Sequence, residues 1–205
     1  DWQDDIFRMA PIQNHYISVR GGSSAFKYFF SGAYLHHEGI LLNSSYDRYN
    51  LRGNISTKIN KWLSYGLNLS VIKEEGGGPG FGGSAPIDLR TSGAINGAAR
   101  WAPTVPVYDT NGNYSPAPTQ YGPSDTWNPV ASAREVSPLY KKMNNMAEIY
   151  LDFRLLEGLT LKVSGMANIL NNMDSWYFNQ YTFEGRPKDG GKVGQASVLN
   201  SSLEE

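Results

Sequence analysis

No cysteine occurs among the 205 residues, which excludes a disulfide framework and any thiolate metal site. Charge is scarce as well. Asp, Glu, Lys and Arg make up 18% of the chain, below the roughly 25% usual for a soluble domain. With 18 Lys plus Arg against 19 Asp plus Glu the net charge is −1, so no electrostatic case for nucleic acid arises. Long apolar runs are missing too: the longest aliphatic stretch is Ile40-Leu41-Leu42, far short of the about 18 residues of a membrane-spanning helix. A helical membrane protein is thereby ruled out. The sequence opens at Asp1 without an initiator Met or a basic-then-apolar leader, and it reads as a piece of something longer.

What the sequence does have is alternation of period two. From Arg48 to Ile59 one face reads Tyr49, Leu51, Gly53, Ile55, Thr57, Ile59 and the other Arg48, Asn50, Arg52, Asn54, Ser56, Lys58. The same two-faced pattern runs through 63–72, 147–155 and 159–169, and in blurred form through 14–20 and 26–37. Six such segments without convincing helices between most of them predict an antiparallel all-β meander. The connections alternate short and long: 21–25, 60–62 and 156–158 are tight, 38–47 is medium, and 73–146 is very long. In an up-and-down sheet this places the short turns on one rim and the long loops on the other, as in outer-membrane barrels. About 10 residues at about 3.3 Å, tilted near 40°, cross an apolar band of about 25 Å. The charged residues of the four clean segments all sit on the polar face. Trp62 and Tyr65 near a short turn, with Tyr34 and Tyr49 toward the other rim, suit an aromatic girdle. The fold expected is therefore a partial transmembrane β-barrel with long extracellular loops.

Chemistry is sparse. Gly78, Gly80 and Gly83 match G-x-G-x-x-G, but the preceding strand is amphipathic and no βαβ pattern surrounds it. His36-His37-Glu38 cannot chelate together, because neighbouring strand residues point to opposite faces. The stretch 109–113 has calcium-loop oxygens, but its glycine comes too early and the bidentate Glu is missing; a small hairpin over 107–114 with a type I′ turn at Asn111-Gly112 is expected instead. A short helix is expected over 89–100, weakened by Gly93 and Gly97. No nucleophile elbow is present, and His15, His36 and His37 are the only histidines, so neither an enzyme nor a cofactor or metal site is expected. Candidate contact residues follow from the pattern: Arg48, Asn50, Arg52, Asn54 and Lys58 as lumen lining, and Trp101, Tyr108, Tyr114 and Trp127 as loop contacts to a ligand or partner, amphipathic rings that can stack on sugars and proteins or on one another.

Several stretches carry a more specific signal: Asp1-Trp2-Gln3-Asp4-Asp5-Ile6-Phe7-Arg8, Ala10 to His15, Gly21-Gly22, Lys27-Tyr28-Phe29, Arg48 to Arg52, Asn60-Lys61-Trp62-Leu63, and Pro103 to Asp109 with Asn111 to Tyr114. In consistent order over more than half the chain, they resemble the SusC/RagA family of TonB-linked outer-membrane transporters. Arg20 and the pair His36-His37 depart from that pattern. The resemblance implies a large barrel around a plug domain, a SusD-type lipoprotein lid, and TonB-powered import of glycans or peptides across the outer membrane. It also implies that plug, TonB box and terminal strand lie outside residues 1–205, which would form an early-to-middle part of the barrel. A secreted β-sandwich that binds carbohydrate through its loop aromatics is the competing expectation. With an unpaired edge at each end, the isolated chain is expected to aggregate.

Overall fold

The computed structural model describes residues 1–78, 93–116, 127–182 and 195–204. Seven strands form one antiparallel sheet in sequence order: β1 (Ile12–Gly22), β2 (Phe26–Glu38), β3 (Ser45–Lys58), β4 (Leu63–Gly77), β5 (Val136–Leu156), β6 (Leu159–Phe178) and β7 (Gln195–Glu204). The connections at 23–25, 59–62 and 157–158 lie on one rim, and the strand ends at Glu38, Ser45, Gly77, Val136, Phe178 and Gln195 on the other. The Gly158 turn needs a left-handed residue, φ 84°, a conformation glycine adopts without steric cost.

Register sorts the side chains into two surfaces, because directly paired residues share a face. Ile17, Gly32, Leu51 and Val71 form one row, and Ile55, Leu67, Ile149 and Gly165 another, on the apolar face. Lys58, Ser64, Asp152 and Lys162 form a row on the opposite, polar face. Among the described residues no second sheet or helical layer covers the apolar face: Ile17 is 76%, Leu51 60% and Ile149 53% exposed. In water, leaving so many large side chains uncovered forfeits about 1.5–3 kcal/mol for each.

The strands run beyond the cleanly alternating stretches. Residues 73–77 belong to β4 and 136–146 to β5, so the long connection is 78–135, not 73–146. The alternation fails there for a physical reason: on the apolar side Tyr34 and Tyr49 stack with centroids 4.9 Å apart, and beyond them this surface turns polar. Lys73 Nζ reaches Glu75 Oε2 at 3.0 Å, and Lys141 Nζ reaches Glu75 Oε1 at 3.3 Å. Tyr34 Oη donates to Asp47 Oδ1 at 2.8 Å, with His36 Nδ1 2.9 Å from the same oxygen. From Tyr49 to Ile59, about ten residues at about 3.4 Å and a tilt near 40° project to about 25 Å of apolar height.

The buried core lies in the loops. It joins α1 (Trp2–Ile6), α2 (Ala94–Arg100) and α3 (Pro129–Arg134) with the connection after β2. Trp2, Ile6, Leu41, Ala98, Trp101 and Val130 are its main buried side chains. Of the helix expected over 89–100, residues 94–100 are helical, while 89–92 lie outside the described residues. Gly80 and Gly83 of the glycine-rich run lie outside them too.

Candidate functional site: polar wall and loop cluster

On the polar face Arg48 Nε stands 3.7 Å from Glu74 Oε1. Asn54 Nδ2 donates to Asn68 Oδ1 at 2.6 Å, and Asn68 Nδ2 donates to Glu148 Oε2 at 2.8 Å. This relay ties β3, β4 and β5 across one row. Asn50 pairs in register with Ile72 and through it with Asn144. Further toward the short turns the wall is cationic. Lys58, Lys61 and Arg154 surround a depression of about 720 Å³ that Trp62, Ser64, Asp152 and Thr160 also line. Lys162 Nζ sits 4.2 Å from the Tyr150 ring centroid, within cation–π range. Arg52 is exposed in the middle of the wall.

At the opposite rim the loop cluster is held by backbone-directed contacts. Asp1 starts α1 by accepting from the Gln3 amide. Asn128 starts α3, its Oδ1 accepting from the Val130 and Ala131 amides at 3.0 and 3.2 Å while its Nδ2 donates to Val107 O at 2.9 Å. Arg8 fixes the chain before β1 to the connection after β2, donating to Gly39 O and Ser44 O and pairing with Glu38 at 3.1 Å. Tyr114 Oη donates to Glu135 Oε1 at 2.9 Å, and Asn179 Nδ2 donates to Glu135 Oε2 at 2.8 Å. Burial first, and then the Glu135 carboxylate, push the Tyr114 phenol well above its ordinary range. The Asp109 carboxyl is held below its ordinary value, chiefly by the Asn113 amide.

Trp101 packs inside the cluster, 5% exposed, edge-on to Trp2 with centroids 5.1 Å apart at 78°. Tyr108, 42% exposed, leans on Tyr114 at 5.3 Å, and Tyr114 meets Tyr181 at 5.7 Å. Trp127 Nε1 donates to Tyr181 O. The 107–114 hairpin forms, bridging Tyr108 to Tyr114, but its turn is not type I′. Gly112 has φ 81° while Asn111 does not take a positive φ, and type I′ requires both central residues to do so. The Gly112 amide donates to Asp109 O and the Asp109 amide to Asn113 O, and the Asp109 side chain accepts from the Asn111 and Asn113 amides. That oxygen is spent on its own turn.

No family model matches the chain. Among curated proteins, the TonB-dependent receptor P3 of Formosa agariphila is 30% identical over 174 residues, 80% of this chain and 16% of the receptor. The TonB-dependent receptor SusC of Bacteroides thetaiotaomicron is 30% identical over 115 residues, 56% of this chain and 10% of SusC. The solved RagAB peptide importer in its closed-closed state superposes with a TM-score of 0.67 at 25% identity, covering 89% of this chain and 20% of that one. The chain belongs to the SusC/RagA family of TonB-dependent receptors. It spans about one-sixth of the length of the receptor P3. The open-open RagAB structure, with a TM-score of 0.71 and 23% identity over 99% of the chain, matches the same meander fold. These relatives are receptors and transporters, not enzymes.

Within the receptor segment, the five wall residues singled out from sequence share the polar face of β3. The four loop aromatics join the loop cluster in different ways, Trp101 in its core and Tyr108 at its surface. Sequence reading passed over α1, α3, Glu135 and Tyr181. Asn128-Pro129 was the available signal for α3, a side-chain cap followed by Pro at the first helical position. Glu135 and Tyr181 carry no local pattern.

Proposed function

We propose that these residues form a sector of the wall of an outer-membrane, TonB-dependent importer. The apolar face meets hydrocarbon and the polar face, with Arg48, Asn50, Arg52, Asn54 and Lys58, lines the lumen. Residues 1–205 on this reading are one barrel segment, the plug lying elsewhere in the polypeptide. The long-loop rim faces the exterior, where Tyr108, Tyr114 and Trp127 contact the incoming glycan or peptide, or a SusD-type lipoprotein lid, with Trp101 anchoring them from the cluster core. The likeness to the RagAB peptide importer and to the TonB-dependent receptor SusC supports this reading.

The observation that carries it is the uncovered apolar face, bounded by the Tyr34–Tyr49 pair and charged beyond it. An outward apolar band beneath an aromatic boundary is the pattern of a barrel wall. Single cysteines at Leu67, Asn68, Leu69 and Ser70 in the full-length receptor test it. In native membranes, positions 67 and 69 should be quenched by lipid-borne nitroxide and positions 68 and 70 should not. Loss of that alternation refutes the assignment of faces.

A further inference from the structure

Two rows of the apolar face contain a gap. Gly32 sits between Ile17 and Leu51, and Gly53 between Phe30 and Leu69. Around them Ile17, Val19, Leu51, Leu69 and Val71 border a groove of about 580 Å³. Gly53 is accounted for from within the protein, since a Cβ there would stand 3.0 Å from the Phe30 ring. Gly32 has no such reason. Its φ is not left-handed, and a Cβ would meet Leu51 Cδ2 at 3.5 Å and Ile17 Cγ2 at 3.7 Å, both ordinary contacts. A strand-interior glycine that neither the backbone nor the neighbours require often marks the close approach of a ligand.

The same face turns polar directly above the groove. Two residues further along the strands stand Tyr34, Tyr49 and Lys73, and beyond them Asp47, Glu75 and Lys141. Lys73 and Lys141 share the single carboxylate of Glu75, at 3.0 and 3.3 Å, which leaves one positive charge over. Asp47 is engaged by Tyr34 and His36, and Glu38 by Arg8. The strands on either side of Lys73 belong to this chain, so its lateral neighbours are complete, and the plug would lie behind the wall. Two carboxamides share this outward surface. Asn145 pairs with Val71, and Asn171 lies in the row of Lys73 through Met143. Both are half-buried, and among the described residues neither has a hydrogen-bond partner. An amide left unpaired at the edge of hydrocarbon is costly. A carboxamide both donates and accepts, so a ligand that satisfies it brings acceptors and donors to that depth.

We infer that this surface is a fixed seat for one lipid of the outer leaflet, a phosphorylated, multiply acylated glucosamine lipid of the lipid A type. One acyl chain lies in the groove over Gly32, the phosphate meets Lys73, and amide and hydroxyl groups at the head of the chains meet Asn145 and Asn171. The chemistry of the two amides selects this lipid over a phosphoglyceride. Ester carbonyls only accept and leave the amide oxygens unmet, whereas amide-linked hydroxyacyl chains bring donors as well. Width selects it too: Gly32 and Asn171 lie four strands apart, about 19 Å at about 4.8 Å per strand, a span for a disaccharide carrying several chains. The inference rests on the outward assignment of this face and adds which lipid occupies it.

The test uses the full-length receptor, stripped of lipid in detergent, and three probes: lipid A, its dephosphorylated form and dioleoylphosphatidylglycerol, with binding read by native mass spectrometry. Lipid A should bind more tightly than either of the others. Lys73→Gln should lower affinity for lipid A by up to about fivefold, the range of one exposed ion pair, and leave the dephosphorylated form unchanged. Gly32→Leu fills the groove and should weaken both forms of lipid A. Gly165→Leu, at an open position of the same face, should change neither. Asn145→Leu should narrow the preference over dioleoylphosphatidylglycerol, a change that a misfolded groove does not mimic because leucine suits hydrocarbon. Equal binding of dioleoylphosphatidylglycerol, or parental affinity in Gly32→Leu, overturns the inference. So does a Gly32→Leu receptor that changes its oligomeric state instead of its lipid affinity, which would seat a second copy of the receptor in the groove. Failure of the nitroxide alternation at positions 67–70 is a separate result and would remove the hydrocarbon-facing assignment itself.

Discussion

A cation placed at Leu69 should be far more costly than one placed at its neighbour Ser70. Leu69 pairs with Gly53 and Ala147 on the apolar face and is 43% exposed there. Gly53 lies about four residues below Tyr49 on β3, which at about 3.4 Å per residue and a tilt near 40° puts this row about 10 Å beneath the aromatic boundary. In a band of about 25 Å that is close to the midplane, where Lys or Arg costs about 2–4 kcal/mol. Leu69→Arg should therefore shift the folding equilibrium of the full-length receptor by roughly thirty- to several-hundredfold. Ser70→Arg, on the polar face opposite Arg52, should lie within about 0.5 kcal/mol of the parent, as surface substitutions usually do. Tyr49→Arg, at the boundary, should cost about 0–1 kcal/mol beyond its lost contact with Tyr34. The assay is urea unfolding in lipid vesicles, followed by the heat-modifiable gel shift of a folded barrel. If Leu69→Arg and Ser70→Arg unfold at the same urea concentration, hydrocarbon does not cover this face.

Two further outcomes concern the loop cluster. Trp2→Ala removes a side chain that is 3% exposed, meets Trp101 edge-to-face and donates to Ala102 O at 3.0 Å; the local cost should be about 3–5 kcal/mol, seen as faster hydrogen exchange in 94–100 and 129–134 with β3 unchanged. Tyr114 ionises above the ordinary phenol range when folded, so its contribution is intact below about pH 10 and is lost as pH rises through the raised value. Absorbance titration at 295 nm should lose one late-titrating phenol in Tyr114→Phe, and an unchanged curve in that variant would refute the Glu135 contact.

The meander was legible because every second residue follows one strict rule, apolar on one face and polar on the other, and β3 and β4 obey it from Leu51 to Ile59 and from Leu63 to Val71. Where the strands emerge past Tyr49 the rule lapses. Lys73 and Glu75 then occupy the outward side, and the sequence there resembles a loop although pairing continues. The faces of Arg48, Asn54 and Lys58 could be read for the same reason. The loop cluster could not. Its helices have five, seven and six residues, too short for a periodic stripe to register, and their stability comes from contacts between segments about a hundred residues apart, such as Trp2 with Ala102. The turn after Asp109 was misread because Asn-Gly suits more than one geometry, and the side chain of Asp109 selects between them.

The seating of Trp2 and Ile6 among 94–101 and 130–133, with Arg8 clasping the chain after β2, makes three pieces of one rim, the segment before β1 and the connections after β2 and β4, a single interlocked unit. Grafting any one of them onto another receptor would leave its partners without their wedge. Exchange of specificity between such receptors should therefore succeed when all three are transplanted together and fail when they are moved singly.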